Sequence, residues 1–196
     1  MANIIRIGGG GDSGAEATLT ALIERTITEF CSDKIESVGK EAFRLCNYLK
    51  TVSLPAAMSV GSNAFYSCHQ LATVNLPAAK SIDDQAFYSC DSLSSINLPA
   101  ATSLNESAFL ACRALATADL AAATSIDNRV FSGCSALAAL VLRRTSGVCT
   151  LGSYALYSTA IASGTGYIYV PDSLVASYKA ATNWSAYADK MVEAAE

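Results

Sequence analysis

Seven cysteines and one histidine are the residues of this 196-residue chain best suited to metal, redox or nucleophilic chemistry. Their spacing argues against all three. No Cys-x-x-Cys pair occurs and His69 has no second histidine to join it, so no zinc site of the usual spacing is expected. A catalytic triad needs a nucleophile, a base and an orienting acid, and a lone histidine beside Cys68 supplies no such set. Cys46, Cys68, Cys90, Cys112 and Cys134 recur every 22 residues, whereas Cys31 and Cys149 stand apart. Equivalent positions on stacked units lie roughly 5 Å apart with parallel rather than converging Cβ vectors, which disfavours a disulfide. The five therefore read as a ladder of small apolar core residues carrying free thiols.

Other motifs are weaker. Gly9-x-Gly11-x-x-Gly14 follows the apolar run Ile4 to Ile7 and has Glu29 downstream, as a dinucleotide fingerprint requires. That chemistry also needs a second βαβ unit, and no room remains for one, so a glycine linker is expected and no cofactor. Asp83, Asp84, Glu106 and Asp127 fall at turn positions that tolerate Gly61, so paired acid chemistry has no support. Asn105-Glu-Ser107 and Asn183-Trp-Ser185 match glycosylation sequons, which matter only in a secreted protein. With no site constellation, the chain is not expected to be an enzyme.

What positions these residues is an internal repeat. Phe43, Phe65, Phe87, Phe109 and Phe131 share the period of the cysteines, as do Leu49, Leu71, Leu93, Leu115 and Leu137. So do Val52, Val74, Ile96, Ala118 and Leu140, then Leu54, Leu76, Leu98, Leu120 and Leu142, and before each Phe, Val38, Val60, Ile82, Leu104 and Ile126. Such a period marks a leucine-rich solenoid. In Leu71-x-x-Val74-x-Leu76 the last two positions face one side of a strand, and Pro77 ends it. Ile82 re-enters the core, and Ala86-Phe87 open a short helical turn that brings Cys90 and Leu93 inward. The fold expected is an α/β repeat solenoid, a right-handed coil with one short strand and one short helical turn per repeat, closed by helical caps.

The pattern Ala-Phe-x-x-Cys-x-x-Leu-x-x-Val-x-Leu-Pro-x-x-x-x-Ile of residues 64–82 resembles the BspA-like leucine-rich repeat family over about residues 27–171. Gly164-Thr-Gly-Tyr-Ile-Tyr-Val-Pro171 and the Asp-Ser-Leu-Val-Ala-Ser-Tyr-Lys179 that follows look like the usual end of such arrays. Members occur on bacterial surfaces, in gut anaerobes and in phage or prophage genes. The resemblance implies binding and adhesion, with a protein or carbohydrate ligand, rather than catalysis.

The ends break the period. Ser13-x-x-Glu16 is a capping-box pattern, and Leu19, Leu22 and Ile23 share one helix face. The expected division is a Gly-rich arm over 1–14, a cap helix and first strand over 15–30, the solenoid over 31–171 and a helical cap over 172–196. Thr26 to Phe30 reads as the first strand and Tyr167 to Pro171 as the last. Asp172 or Ser173 would N-cap a helix bearing Leu174, Val175 and Tyr178, with Trp184, Tyr187 and Met191 repeating the helical spacing. Gly8 to Gly11 make the arm flexible, so an assembly partner is expected to hold it.

Hydrophobic residues make up 52% and charged residues 15%, yet no run reaches the length needed to span a bilayer. A net charge of −4 disfavours nucleic acid as partner. The first residues, MANIIRIGGGG, lack the basic start and long apolar centre of a secretory signal. Cytoplasmic synthesis with a virion or cell-surface destination is the expectation, and a tail or fibre accessory anchored by the arm is the alternative to a recognition module.

The columns that vary carry the binding surface. Lys50, Ala72, Ser94 and Ala116 lead into the strands. Outward positions on the strands hold Thr51, Thr73, Ser95 and Thr117, then Ser53, Asn75, Asn97 and Asp119, a small and polar face. The column after Phe holds Arg44, Tyr66, Tyr88, Leu110 and Ser132. Tyr66 and Tyr88 either pack on each other or form a contact patch with Arg44. His69 shares its column with Asn47, Asp91, Arg113 and Ser135, a variety that marks solvent.

Overall fold

Thr73-Val-Asn75 and Ser81-Ile82 show how one row of the repeat becomes one coil. The first forms a three-residue strand and the second a two-residue strand, with the turn at Pro77 between them. Residues 83–90 then carry the chain back as a ribbon of turns. The computed structural model describes residues 4–7 and 27–194, and stacks such coils in parallel register.

In chain order the strands are β1 (Ile4–Ile7), β2 (Glu29–Ser32), β3 (Ser37–Val38), β4 (Thr51–Ser53), β5 (Ser59–Val60), β6 (Thr73–Asn75), β7 (Ser81–Ile82) and β8 (Ser95–Asn97). There follow β9 (Ser103–Leu104), β10 (Thr117–Asp119), β11 (Ser125–Ile126), β12 (Ala139–Val141), β13 (Thr150–Leu151), β14 (Tyr167–Val170) and β15 (Met191–Glu193). Short strands make one continuous sheet, β13-β11-β9-β7-β5-β3. Longer strands make two, β1-β2-β4-β6 and β15-β14-β12-β10-β8. The expected period is thus met, with two strands per coil instead of one.

The short helical turn per repeat is not formed. Among the described residues the one α-helix is α1 (Asp172–Ala180). In the ribbon, Ala64 N–H donates to Gly61 O at 3.1 Å and Cys68 N–H to Phe65 O at 3.2 Å. Each bond closes a four-residue turn, with Asn63 (φ 57°) and Ser67 (φ 55°) at the third position, where a type II turn requires positive φ. Left-handed residues four apart forbid a continuing helix. They recur as Gln85 and Ser89, Ser107 and Ala111, then Arg129 and Gly133. The amides between them run to the next coil: Asn63, Phe65 and Ser67 N–H donate to Asp84, Ala86 and Tyr88 O at 3.0, 2.7 and 2.8 Å. All three point the same way along the stack, and the same set repeats in each coil.

This backbone arrangement places the side chains. Phe43, Phe65, Phe87 and Phe109 stack face to face with ring centroids 5.0 Å apart, and Phe131 follows at 5.6 Å. Burial of each such ring contributes about 1.5–3 kcal/mol. The five ladder cysteines are buried with free thiols, and they do more than fill space. Cys68, Cys90, Cys112 and Cys134 Sγ each donate to the carbonyl of the Phe one coil back, Phe43, Phe65, Phe87 and Phe109, at 3.0–3.2 Å. Thr159 takes the sixth place, where its hydroxyl donates to Leu156 O at 2.8 Å.

The last coil is longer because three residues are inserted between Leu142 and Leu151, the equivalents of Leu120 and Ile126. Its return depends on Gly152, where a Cβ would stand 2.4 Å from Asn128 N. Tyr178 and Trp184, both fully buried, then cover β13. Tyr178 OH accepts from Cys149 N–H at 3.0 Å, Trp184 Nε1–H donates to Cys149 O at 2.6 Å, and Asn183 Nδ2–H donates to Leu151 O at 2.6 Å.

Several expectations at the ends are corrected. Pro171, not Asp172 or Ser173, precedes α1 and offers no side-chain cap, while Asp172 sits in the first turn against the helix dipole. Trp184, Tyr187 and Met191 do not share a second α-helix: Ser185–Lys190 is a 3₁₀ helix, and Met191 begins β15, which pairs with β14. The first strand runs over Glu29–Ser32 rather than Thr26 to Phe30. Within the Gly-rich arm, Ile4–Ile7 is a strand paired with β2. The capping box at Ser13 and Glu16, the helix over 15–25 and Gly8 to Gly11 lie outside the described residues.

Two outcomes follow. Phe87→Ala leaves a void in a continuous stack and should lower unfolding free energy by about 3–5 kcal/mol in a denaturant titration. Burial holds the thiols of Cys68, Cys90 and Cys134 well above the ordinary value of 9.0 and pushes Cys149 up to about 12. For Cys68 and Cys149 the unfolded chain releases the proton first, so the stability each contributes is full below pH 9 and falls above it, by about 1.4 kcal/mol per pH unit for each. Urea titrations across that range check the slope, and native labelling should reach only the partly exposed Cys31.

Candidate functional site on the strand face

Backbone register decides what the strand face displays. Thr51 pairs with Thr73, Ser95 with Thr117, Thr117 with Ala139 and Ala139 with Tyr167. Two residues on, Ser53 pairs with Asn75, Asn97 with Asp119, Asp119 with Val141 and Val141 with Tyr169. Alternation sends these side chains outward and Val52, Ile96, Ala118 and Leu140 into the core. Thr73, Asn75, Ser95, Asn97 and Thr117 are exposed and Asp119 is half-buried, so all six expected strand-face residues share one surface.

Its chemistry changes along the array. The early coils present hydroxyls and amides, and Asn75 Nδ2–H donates to Ser53 Oγ at 3.0 Å. Later, Arg143 grips Asp119 Oδ2 with Nη2 at 2.9 Å and Nε at 3.2 Å. Beyond it stand Tyr167, 48% exposed, and Tyr169. A hollow of about 230 Å³ beside Val141, Arg143, Tyr169 and Glu193 runs into a cleft of about 540 Å³ lined by Arg143, Thr145, Pro171, Asp172 and Glu193. Sequence reasoning missed Tyr167, Tyr169 and Arg143. The two tyrosines lie two positions apart in β14, and that spacing was the available signal.

Arg44, Tyr66 and Tyr88 belong to the ribbon, a different side of the coil. Tyr66 and Tyr88 rings stack at 4.7 Å and 6°, and Arg44 Cζ lies 5.2 Å from the Tyr66 centroid. Both rings are half-buried. Packing on each other is therefore the arrangement observed. The same side holds a polar ladder: Asp91 accepts from Arg113 Nη1 at 2.7 Å and faces His69 Nδ1 at 2.8 Å. His69 is exposed, as its column variety suggests.

The turn carboxylates are spent on local bonds. Asp127 Oδ1 accepts its neighbour Asn128 N–H at 2.8 Å, and Glu106 lies 3.6 Å from Arg129. Burial, then the charge of Asp84, raises the Asp83 carboxyl. Among the described residues no group of three or more metal-ligating side chains gathers, and no helix is long and apolar enough to cross a membrane.

Truncating both stacked tyrosines should show a coupling of about 0.5–1.5 kcal/mol beyond the sum of single changes. A double-mutant cycle with Tyr66→Ala and Tyr88→Ala in urea measures it.

The pattern for a BspA type leucine rich repeat region matches residues 24–138 and 58–175, in six copies. A crystallised leucine-rich repeat protein from Bacteroides ovatus ATCC 8483 superimposes with a TM-score of 0.59 at 26% identity, over 76% of this chain. The chain spans only 44% of that protein's length. A T. pallidum Leucine Rich Repeat protein gives a TM-score of 0.49 at 20% identity, over 77% of this chain and 73% of that one. A leucine rich cell surface protein from Faecalibacterium prausnitzii A2-165 gives 0.40 at 17%, over 67% and 52%. No curated protein matches.

Proposed function

The chain belongs to the BspA-type leucine-rich repeat family, and from that premise we propose that it is a recognition module, presenting its strand face to a protein or carbohydrate ligand rather than catalysing a reaction. One observation carries this reading. The core columns stay apolar throughout, while the outward strand columns run from hydroxyl and amide to the Asp119–Arg143 pair and the tyrosines of β14. A surface built from one repeated backbone but graded in chemistry suits recognition of an extended ligand. Tyr167 and Tyr169 offer the amphipathic rings that anchor interfaces, and Arg143 a fork already held in place by Asp119.

The reading is tested by capture on glycan arrays and from protein mixtures, using the full chain and three variants. Asn97→Arg places a long cation on the strand face and should weaken binding by more than about tenfold. Stability should change by less than about 0.5 kcal/mol, because the position is exposed. Arg129→Ala on the ribbon should bind as the parent does. Binding that survives Asn97→Arg and is lost with Tyr66→Ala would move the site to the ribbon side.

A further inference from the structure

The strand face is interrupted at one level. β6 and β8 belong to adjacent coils, yet they end two separate sheets. The other sides of the same coils are joined. β7 pairs with β9, Gln85, Phe87 and Ser89 N–H reach Glu106, Ala108 and Leu110 O at 3.0, 2.7 and 2.9 Å, and the Phe87 and Phe109 rings stack at 5.0 Å. The gap is therefore a local parting of the strand side.

Comparison with neighbouring coils shows which groups the parting leaves open. Leu54, Leu98 and Leu120 N–H each donate to the next coil, to Asn75, Asp119 and Val141 O at 3.0, 2.9 and 2.9 Å. Leu76 N–H, equivalent to these, makes no such bond to Asn97 O, although Leu76 is 1% exposed. Ala72 and Ala116 N–H donate backward to Lys50 and Ser94 O at 2.9 and 2.8 Å, whereas Ser94 N–H does not reach Ala72 O. The floor opens too: Val74 is only partly buried, while Val52 and Ile96 in its column are 0% and 2% exposed. A buried, unpaired amide is costly and calls for a partner from outside the chain.

We propose that this seam is the centre of the recognition surface and that its occupant is a neutral carbohydrate. The inference rests on the recognition reading above and adds the place and the ligand class. The lips carry Thr73 and Asn75 on one side, Ser95 and Asn97 on the other. Between them lie free N–H and C=O groups of the backbone. Every polar group is uncharged, and donors and acceptors are mixed, which complements hydroxyls that both donate and accept. Partly exposed Val74 supplies an apolar strip for the C–H face of a sugar ring. An anion or cation would meet no opposite charge among these groups.

Amide hydrogen exchange of the full chain tests the proposal directly. In the free protein, Leu76 and Ser94 amides should exchange at least about tenfold faster than Leu54 and Ala116. Equal rates would mean the seam is closed and would overturn the proposal. Maltohexaose, xylohexaose and chitohexaose are then added in turn. Slowing of Leu76 and Ser94 by one of them, lost in Asn75→Ala/Asn97→Ala, is the expected result. Sugar binding with protection confined to β14 would leave the recognition module standing and refute the seam. Protection by none of the three, with capture of a protein ligand instead, would refute the carbohydrate.

Discussion

The structure depends on the hydrogen bonds that join each ribbon to the next. Three amides per coil reach forward to three carbonyls, and this requires equivalent residues to lie one strand spacing apart. Once that spacing is imposed, a column tolerates only side chains that stack on copies of themselves. Phenylalanine does so face to face. Cysteine does so because it is small and because its S–H reaches a carbonyl already shared with a backbone amide. Serine at the cysteine positions would add a stronger donor at a higher desolvation cost in a dry column.

The three sides of the coil hold this spacing unequally. Ribbon and short strands are paired from end to end, while the strand face divides between β6 and β8. The most polar and least bulky part of the array is also the part with the weakest internal ties. Variation and cohesion are thus separated around the coil: two sides keep the stack together, and the third varies in chemistry and in contact.

Much of this was legible in the sequence, for a definite reason. A residue stacked on its own copies must repeat, so Phe, Cys and Leu columns announced both fold and core. The outward columns were legible by elimination, since two-residue alternation from Val74 and Leu76 assigns Thr73 and Asn75 to solvent. The ribbon was misread because Ala86, Phe87, Cys90 and Leu93 recur at helix-like intervals. The left-handed residues that break the helix are mostly Ser, Gln, Ala and Arg, which do not announce positive φ as glycine does, and Gly133 alone among them is a glycine. The parting of β6 from β8 had no signal: both strands read as ordinary rows, and Val74 at the parting is the same residue as Val52 in its column. The Trp184 and Tyr178 bonds to the backbone of Cys149 bridge 35 and 29 positions outside the period, where repetition offers no guide.

The ribbon has one more property. In each ribbon the three amides equivalent to those of Asn63, Phe65 and Ser67 point toward the C-terminal neighbour and only the one equivalent to Asp83 points back, so their dipoles leave a net sum instead of cancelling as they do across a strand ladder. The stack has a polarity as well as a length. Carbonyls of Lys40, Ala42 and Arg44, the equivalents of the accepting Ser62, Ala64 and Tyr66, face backward at its negative end. The amides of Tyr154, Leu156 and Ser158 face forward at its positive end, beside the exposed rings of Tyr154 and Tyr157. However alike the coils between them, the first and last described ribbons present opposite ends of one row of dipoles.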